Sequence, residues 1–211
     1  LQSVKSFQMK ATVSGKVNID LTGQGGAGAL DLAGTTANGD VDIANKKAHI
    51  SFDAPALLGT GADIIVVDQV SYVKISGPFG SGDKYQKQES TSDPTDLASD
   101  PQKAIADLKA GLDKLSTPPT KGADERCGDK DCYKVTLKLA ASDLGGLASS
   151  VPGVSGDGTI DVWVHKDDLR PAKLQIGVNA GDQGAVTITL ELTNYDGSVS
   201  IQAPPADQIQ Q

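Results

Sequence analysis

The residues of this chain best suited to chemistry are Cys127 and Cys132, which bound the stretch Cys-Gly-Asp-Lys-Asp-Cys. Such a pair can be half of a metal site, a redox pair or a disulfide that closes a hairpin. A zinc site needs two further Cys or His ligands, and the chain offers only His49 and His165, which are far apart in sequence. The residues between the cysteines are typical of a tight turn. We therefore predict a disulfide, which implies an oxidising compartment outside the cytoplasm.

The other polar clusters give little support for catalysis. His49 and His165 occupy polar positions of alternating segments, where a histidine is usually a surface residue. The aspartates at 167–168 and 129–131 lack the spaced carboxylates of an EF-hand and are more typical of turns. The Gly-rich stretch 23–28 leads into a predicted strand and not a helix, which argues against a phosphate-binding loop. We predict no enzyme activity, no metal and no cofactor.

Charge and hydropathy restrict the classes of partner. The 211-residue chain carries a formal net charge of −8, whereas a nucleic-acid-binding protein needs a basic surface. It contains no run of about 18 apolar residues that predicts a transmembrane helix. The sequence begins at Leu1 without an initiator Met, and we expect that an upstream segment, including an N-terminal helix, has been removed.

The elements that must position any site are mostly strands. In the C-terminal quarter, apolar and polar residues alternate strictly in four runs, which is typical of antiparallel strands with one apolar face. Asp196-Gly197 predicts the type I′ turn of the last hairpin. The sequence therefore predicts a four-stranded meander whose runs are 160–165, 172–178, 186–193 and 198–202.

The rest of the chain predicts further hairpins, one long loop and two helices. Six strands are predicted before residue 76, with turns at 38–39, 45–47 and 68–69. Residues 77–96 are polar and rich in Gly, Pro and Ser, which indicates a long loop or lid. Helices are predicted at 101–115 and 142–151, and another strand is predicted at 133–139.

About eleven predicted strands would present one broad apolar face, while the two helices carry few apolar side chains to cover it. A removed N-terminal helix, or closure of the sheet by its small residues, would fill the remaining space. Otherwise a void remains for an apolar ligand. Unfilled volume costs on the order of 24 cal/mol per Å³, so a protein that keeps such a void usually has something to put in it.

Several stretches of the chain resemble the mycobacterial LppX/LprA/LprF/LprG lipoproteins of the LolA-like superfamily. They are residues 3–15, the strand 160–164 with its central Trp163, the turn and strand 169–174, and the ending 186–205. The resemblance implies an antiparallel half-barrel wrapped around helices, with a hydrophobic cavity between sheet and helices. It also implies an exported envelope protein that binds an acylated lipid or glycolipid and carries its lipid anchor upstream of Leu1.

We therefore predict a single LolA-like domain over 1–211, α+β and mostly β, built on one large curved antiparallel sheet. Its predicted function is the non-catalytic binding and transport of an acylated lipid by a monomeric envelope protein, with the 77–96 loop at the entrance. The alternative is a structural or protein-interaction module of the envelope with a fully packed core. The predicted lipid-lining residues are Ile64, Val66, Val73, Ile105, Leu108, Leu112, Val135, Leu137, Val162, Leu174 and Ile188.

Overall fold

The computed structural model describes residues 4–19, 28–78, 80, 82–89, 117–140, 157–179 and 181–210. The predicted helices at 101–115 and 142–151 lie outside these residues. So do most of the Gly-rich stretch and the end of the predicted 77–96 loop.

The described residues form one large open sheet of 13 strands, as the alternating pattern predicted. Its strand order is β7-β6-β5-β4-β3-β1-β13-β12-β11-β10-β8, while β2 pairs with β1 and β9 with β10. The strands are β1 (Ser6–Ile19), β2 (Gly28–Asp31), β3 (Thr35–Asp42), β4 (Lys47–Ala54), β5 (Thr60–Val67), β6 (Val70–Ser76), β7 (Gln86–Glu89), β8 (Thr120–Lys121), β9 (Glu125–Cys127), β10 (Lys130–Leu139), β11 (Asp157–His165), β12 (Pro171–Asn179) and β13 (Gly184–Thr193).

Backbone packing divides the chain into two compact units. The first unit comprises Leu1–Ala11, Gly34–Ile105 and Leu192–Gln211, and the second comprises Thr12–Ala33 and Ala106–Glu191. That the whole chain behaves as a single domain stays a prediction.

In the first unit, β3 to β7 follow one another as hairpins. The predicted turn between β5 and β6 is confirmed, because Asp68 and Gln69 both adopt the left-handed φ values, 53° and 64°, that a tight hairpin requires. The predicted turn at Asn38-Gly39 is wrong, since both residues lie inside β3 and pair with β4. Gly39 serves there as a point of close approach, because a Cβ built on it would lie 2.9 Å from Cγ of Met9.

Two segments of the first unit have a structure that differs from the predicted one. Residues 197–205 form no fourth meander strand. Instead Val199 and Ile201 pack against the cluster formed by Ile65, Val67 and Tyr85. Part of the predicted 77–96 loop is the strand β7, which pairs with β6.

Tyr85 connects β7 to the C-terminal segment. Its backbone bridges to Ile209, and its buried hydroxyl donates a 2.5 Å hydrogen bond to Oδ2 of Asp63. Asp63 Oδ1 in turn lies 2.7 Å from Nε2 of His49. Nζ of Lys74 lies 4.6 Å from the centre of the Tyr85 ring. The phenol thus joins an apolar cluster on one side to a carboxylate on the other.

This contact predicts a loss of stability in alkali. Burial, the hydrogen bond to Asp63 and the charge of that carboxylate raise the pKa of Tyr85 from 10.0 to about 12. The pKa of Tyr85 is higher in the folded than in the unfolded protein. The stabilisation by the protonated phenol is therefore complete below pH 10 and is lost as the pH rises through 12. Tyr85→Phe should lower the free energy of unfolding by about 1–3 kcal/mol at neutral pH.

Urea unfolding at a series of pH values tests this prediction. The free energy of unfolding of the wild type should fall between pH 10 and 12, and that of Tyr85→Phe should fall much less. Tyr72→Phe removes a phenol from the same apolar cluster and is the control, which should keep that fall. Equal alkaline losses in the wild type and Tyr85→Phe would contradict the assignment.

In the second unit, β11, β12 and β13 form an antiparallel meander, with β10 paired to β11. The outer side of β10 is paired with the short strands β8 and β9. Cys127 and Cys132 form a disulfide across the β9–β10 hairpin, with their Cα atoms 6.0 Å apart. The predicted disulfide is therefore confirmed, and Cys132 is completely buried.

Candidate functional site

Two rows of aliphatic side chains cross the strands of the second unit. Paired residues of antiparallel strands project from the same face of a sheet, and adjacent pairs on that face are two residues apart. The rows therefore form one surface, which we call the aliphatic face. Its members are Val135, Val162, Leu174 and Leu190 in one row, and Leu137, Ile160, Ile176 and Ile188 in the other.

The aliphatic face keeps part of its area in contact with solvent. Leu137 is buried, Ile188 is 40% exposed, and the other six side chains are half-buried. Transfer of such surface from water to an apolar environment is worth roughly 25 cal/mol per Å². The face therefore offers unused binding energy to an apolar partner.

The opposite face of the same strands is polar and surrounds Trp163. Its ring, only 4% exposed, lies between the ammonium groups of Lys134 and Lys173, which are 4.7 Å and 4.5 Å from the ring centre. Its Nε1 donates a 2.8 Å hydrogen bond to Glu125. This bond, helped by the nearby lysines, lowers the pKa of the Glu125 carboxyl. The indole that interrupts the aliphatic pattern thus belongs to the scaffold.

A β-bulge also separates the two faces. The register of β11 and β12 shifts between Trp163 and Val164, and Ala172 packs against Trp163 and Cys132. Simple alternation over the predicted run 172–178 would place Ala172 on the same face as Leu174, but in the structure Ala172 packs on the side of Trp163. A bulge inserts one residue, which moves the side chains on one side of it to the other face.

The first unit carries a second set of predicted lining residues. Ile64 and Val73 are directly opposite each other and are half-buried, and Val66 is buried at the next position on the same face. The other face of β5 is apolar as well, since Ile65 and Val67 pack against Tyr85 and Ile201. Residues 64–67 are continuously apolar because both faces of the strand carry buried side chains, Val66 on one face and Ile65 and Val67 on the other.

The structure brings together five predicted lining residues on the aliphatic face and three in the first unit. Ile105, Leu108 and Leu112 lie outside the described residues. Sequence reasoning missed Ile160, Ile176 and Leu190, which complete the two rows. The sequence indicates which face of its own strand each of these residues occupies. Only the pairing of the strands shows which residues are neighbours in a row.

The sequence predicts that His165 is a surface residue of a strand and that Asp167 and Asp168 lie in a turn. The turn is confirmed, but the side chain of His165 is only 13% exposed, so its surface position is wrong. One potential metal-ligand atom from each of these three residues lies within 4.8 Å of the other two. However, Nζ of Lys130 already lies 2.9 Å from Asp167 and 3.3 Å from Asp168. This lysine lowers the pKa of Asp167. The cluster is therefore best described as an ion-paired turn.

Comparison with known proteins decides the family. Residues 1–201 match the model of the LppX_LprAFG lipoprotein family. The chain belongs to this family. The match spans both compact units, and none of the described helices of this family member is long and apolar enough to cross a bilayer.

Solved structures support the same fold. The lipoprotein LppX of Mycobacterium tuberculosis matches with a TM-score of 0.56 and 16% identity, over 95% of this chain and 91% of that one. LprF of Mycobacterium bovis matches with a TM-score of 0.54 and 15% identity, over 95% and 90% of the two chains. A search of curated proteins found no match. At these identities the structural likeness establishes the fold alone.

Proposed function

We propose that this LppX_LprAFG family member is a non-catalytic carrier that holds an acylated lipid or glycolipid against its aliphatic face. In this proposal the acyl chains occupy a hydrophobic cavity between the sheet and the helices predicted at 101–115 and 142–151. The observation that carries the proposal is the pair of aliphatic rows, in which seven of eight side chains are not fully buried.

The dimensions of the aliphatic face suit an acyl chain. Its four strands span about 14 Å, because neighbouring strands lie about 4.8 Å apart. Each CH₂ group that is buried there contributes about 0.8 kcal/mol, so a long chain binds tightly without a specific polar contact. The polar opposite face, with its lysine–Trp163–lysine arrangement, offers no comparable apolar surface.

The remaining predicted lining residues belong to the same proposal. They are Ile64, Val66 and Val73 in the first unit, and Ile105, Leu108 and Leu112 in the predicted helix. We further propose that the protein is exported to the cell envelope, is held there by a lipid anchor upstream of Leu1 and acts as a monomer. Family membership and the disulfide between Cys127 and Cys132 support this location.

Native mass spectrometry of protein purified without detergent from its own or a related host tests the carrier function. We expect added mass that organic extraction removes and that contains acyl chains. The extracted protein should then take up a fluorescent fatty-acyl probe in a saturable manner. A protein that carries no lipid and takes up no probe would instead fit a structural or protein-interaction module.

A further inference from the structure

The turn between β4 and β5 exposes two consecutive leucines. Leu57 is 42% exposed and Leu58 is 70% exposed, whereas Ala54 at the base of the turn is completely buried. We call residues 55–59, Pro-Ala-Leu-Leu-Gly, the leucine tip. A Cβ built on Gly59 would meet nothing within 4 Å, so this side of the tip is open, while the carbonyl of Gly59 lies close to Gly77.

Local hydrogen bonds hold the leucine tip in one conformation. Pro55–Leu57 form a turn of 3₁₀ helix, and the backbone N–H of Gly59 donates a 3.1 Å bond to the carbonyl of Pro55. The hydroxyl of Thr60 donates a 2.5 Å bond to the carbonyl of Leu57. The leucines are therefore presented by an ordered backbone, which reduces the entropy lost when they are inserted into another phase.

Leu58 is an unusual residue for its position. Its φ of 58° lies in the left-handed region, where glycine and asparagine are favoured and other residues are strained. In this position the side chain gains little packing, because it is the most exposed large apolar residue among those described. Strain and exposure make Leu58 a candidate for a role outside the folded core. Leu169 shares both features, and the uncharged surroundings of Leu58 distinguish it from that residue.

The charge distribution around the leucine tip favours an apolar surface as its partner. No residue from 54 to 62 is charged, although the whole chain has a net charge of −8. An acidic protein is repelled by anionic lipid, so attraction to a bilayer must come from apolar insertion and not from basic residues. Interfacial binding of this kind grows with the apolar area that is buried.

We propose that the leucine tip inserts into the interfacial region of a lipid bilayer and adds to the attachment of the protein at the membrane surface. This proposal does not depend on the aliphatic face. The tip lies in the first unit, and a carrier with a polar tip would still hold its lipid.

Vesicle flotation of the 211-residue chain tests the proposal. We expect the wild type to float with phosphatidylcholine vesicles, and this binding should persist in high salt because it is apolar. Addition of an equal part of phosphatidylglycerol should not strengthen it. Combined Leu57→Ser and Leu58→Asn substitutions should weaken partitioning at least about tenfold. Asparagine tolerates a positive φ, so the double variant should fold and should take up soluble acyl probe like the wild type.

Leu169 provides a matched control. It is also exposed, at 57%, and also has a positive φ, of 57°, but it lies between Asp168 and Arg170 in a charged turn. Leu169→Asn should leave flotation unchanged. The proposal is overturned if the wild type does not float, if the double variant floats equally well, or if Leu169→Asn causes the same loss. A change of oligomeric state in the double variant would overturn it as well, because it would identify a contact between copies.

Discussion

Replacement of Ile188 by aspartate is expected to weaken the binding of an acyl probe by about tenfold to a hundredfold. Ile188 ends the second row of the aliphatic face, opposite Ile176. A carboxylate at this position would have to lose its water when an acyl chain covers it, or would keep that water and exclude the chain. Because the side chain is already 40% exposed, the substitution should cost little folding stability.

Thr187→Asp is the matched control, because it adds the same charge one residue earlier in the same strand. Thr187 pairs with Gly177 and projects from the opposite face. Titration of both variants with a fluorescent fatty-acyl probe, together with thermal unfolding, separates the effect on the face from an effect on the fold. Equal losses in the two variants, or no loss in Ile188→Asp, would mean that the aliphatic face does not contact the acyl chain.

The comparison of Ile188→Asp with Thr187→Asp depends on how β13 pairs with β12, and the sequence indicates this register only in part. Alternation in β10 to β13 placed Val135, Leu137, Val162, Leu174 and Ile188 on one face, and the structure confirms that common face. Alternation gives parity along one strand, but it does not say which residues of two strands are opposite each other. That Ile188 faces Ile176 therefore became known only with the strand pairing.

The C-terminal segment shows a second limit of sequence reasoning. Val199 and Ile201 alternate with polar residues just as a strand would, and Asp196-Gly197 is a good hairpin signal. In the structure Asp196 itself has the positive φ, 58°, and its N–H donates to the carbonyl of Ser6 at the start of β1. Alternation of apolar and polar residues indicates that one side of a segment is buried. It does not show whether the backbone of that segment pairs with another strand.

The continuous run at 64–67 and Trp163 show the opposite case, in which an irregular pattern was informative. Residues Ile64 to Val67 lie in a strand that carries buried side chains on both faces. Trp163 is out of phase with its aliphatic neighbours because it lies on the other face, between two lysines. The sequence showed that both positions departed from simple alternation, but only the packing partners explain why.

Trp163→Ala is expected to lower the free energy of unfolding by about 3–5 kcal/mol, the largest loss of stability that we predict. The substitution removes the large side chain that packs on Cys132 and Ala172, and it leaves Glu125 without the indole donor. It also removes the ring that lies between Lys134 and Lys173, which leaves two ammonium groups close to an empty space. Such a loss is a large part of the roughly 5–15 kcal/mol that typically stabilises a domain.

Urea unfolding of Trp163→Ala and Trp163→Phe measures this effect. Phenylalanine keeps a ring between the lysines and loses the hydrogen bond to Glu125, so it should cost markedly less than alanine. Where both variants remain folded, their affinity for an acyl probe should stay close to that of the wild type, because Trp163 lies on the face opposite the aliphatic rows. A loss below about 1 kcal/mol in the alanine variant would contradict the scaffold role. Loss of probe binding by a folded variant would instead place the ligand on the polar face, and would require a different site from the one proposed.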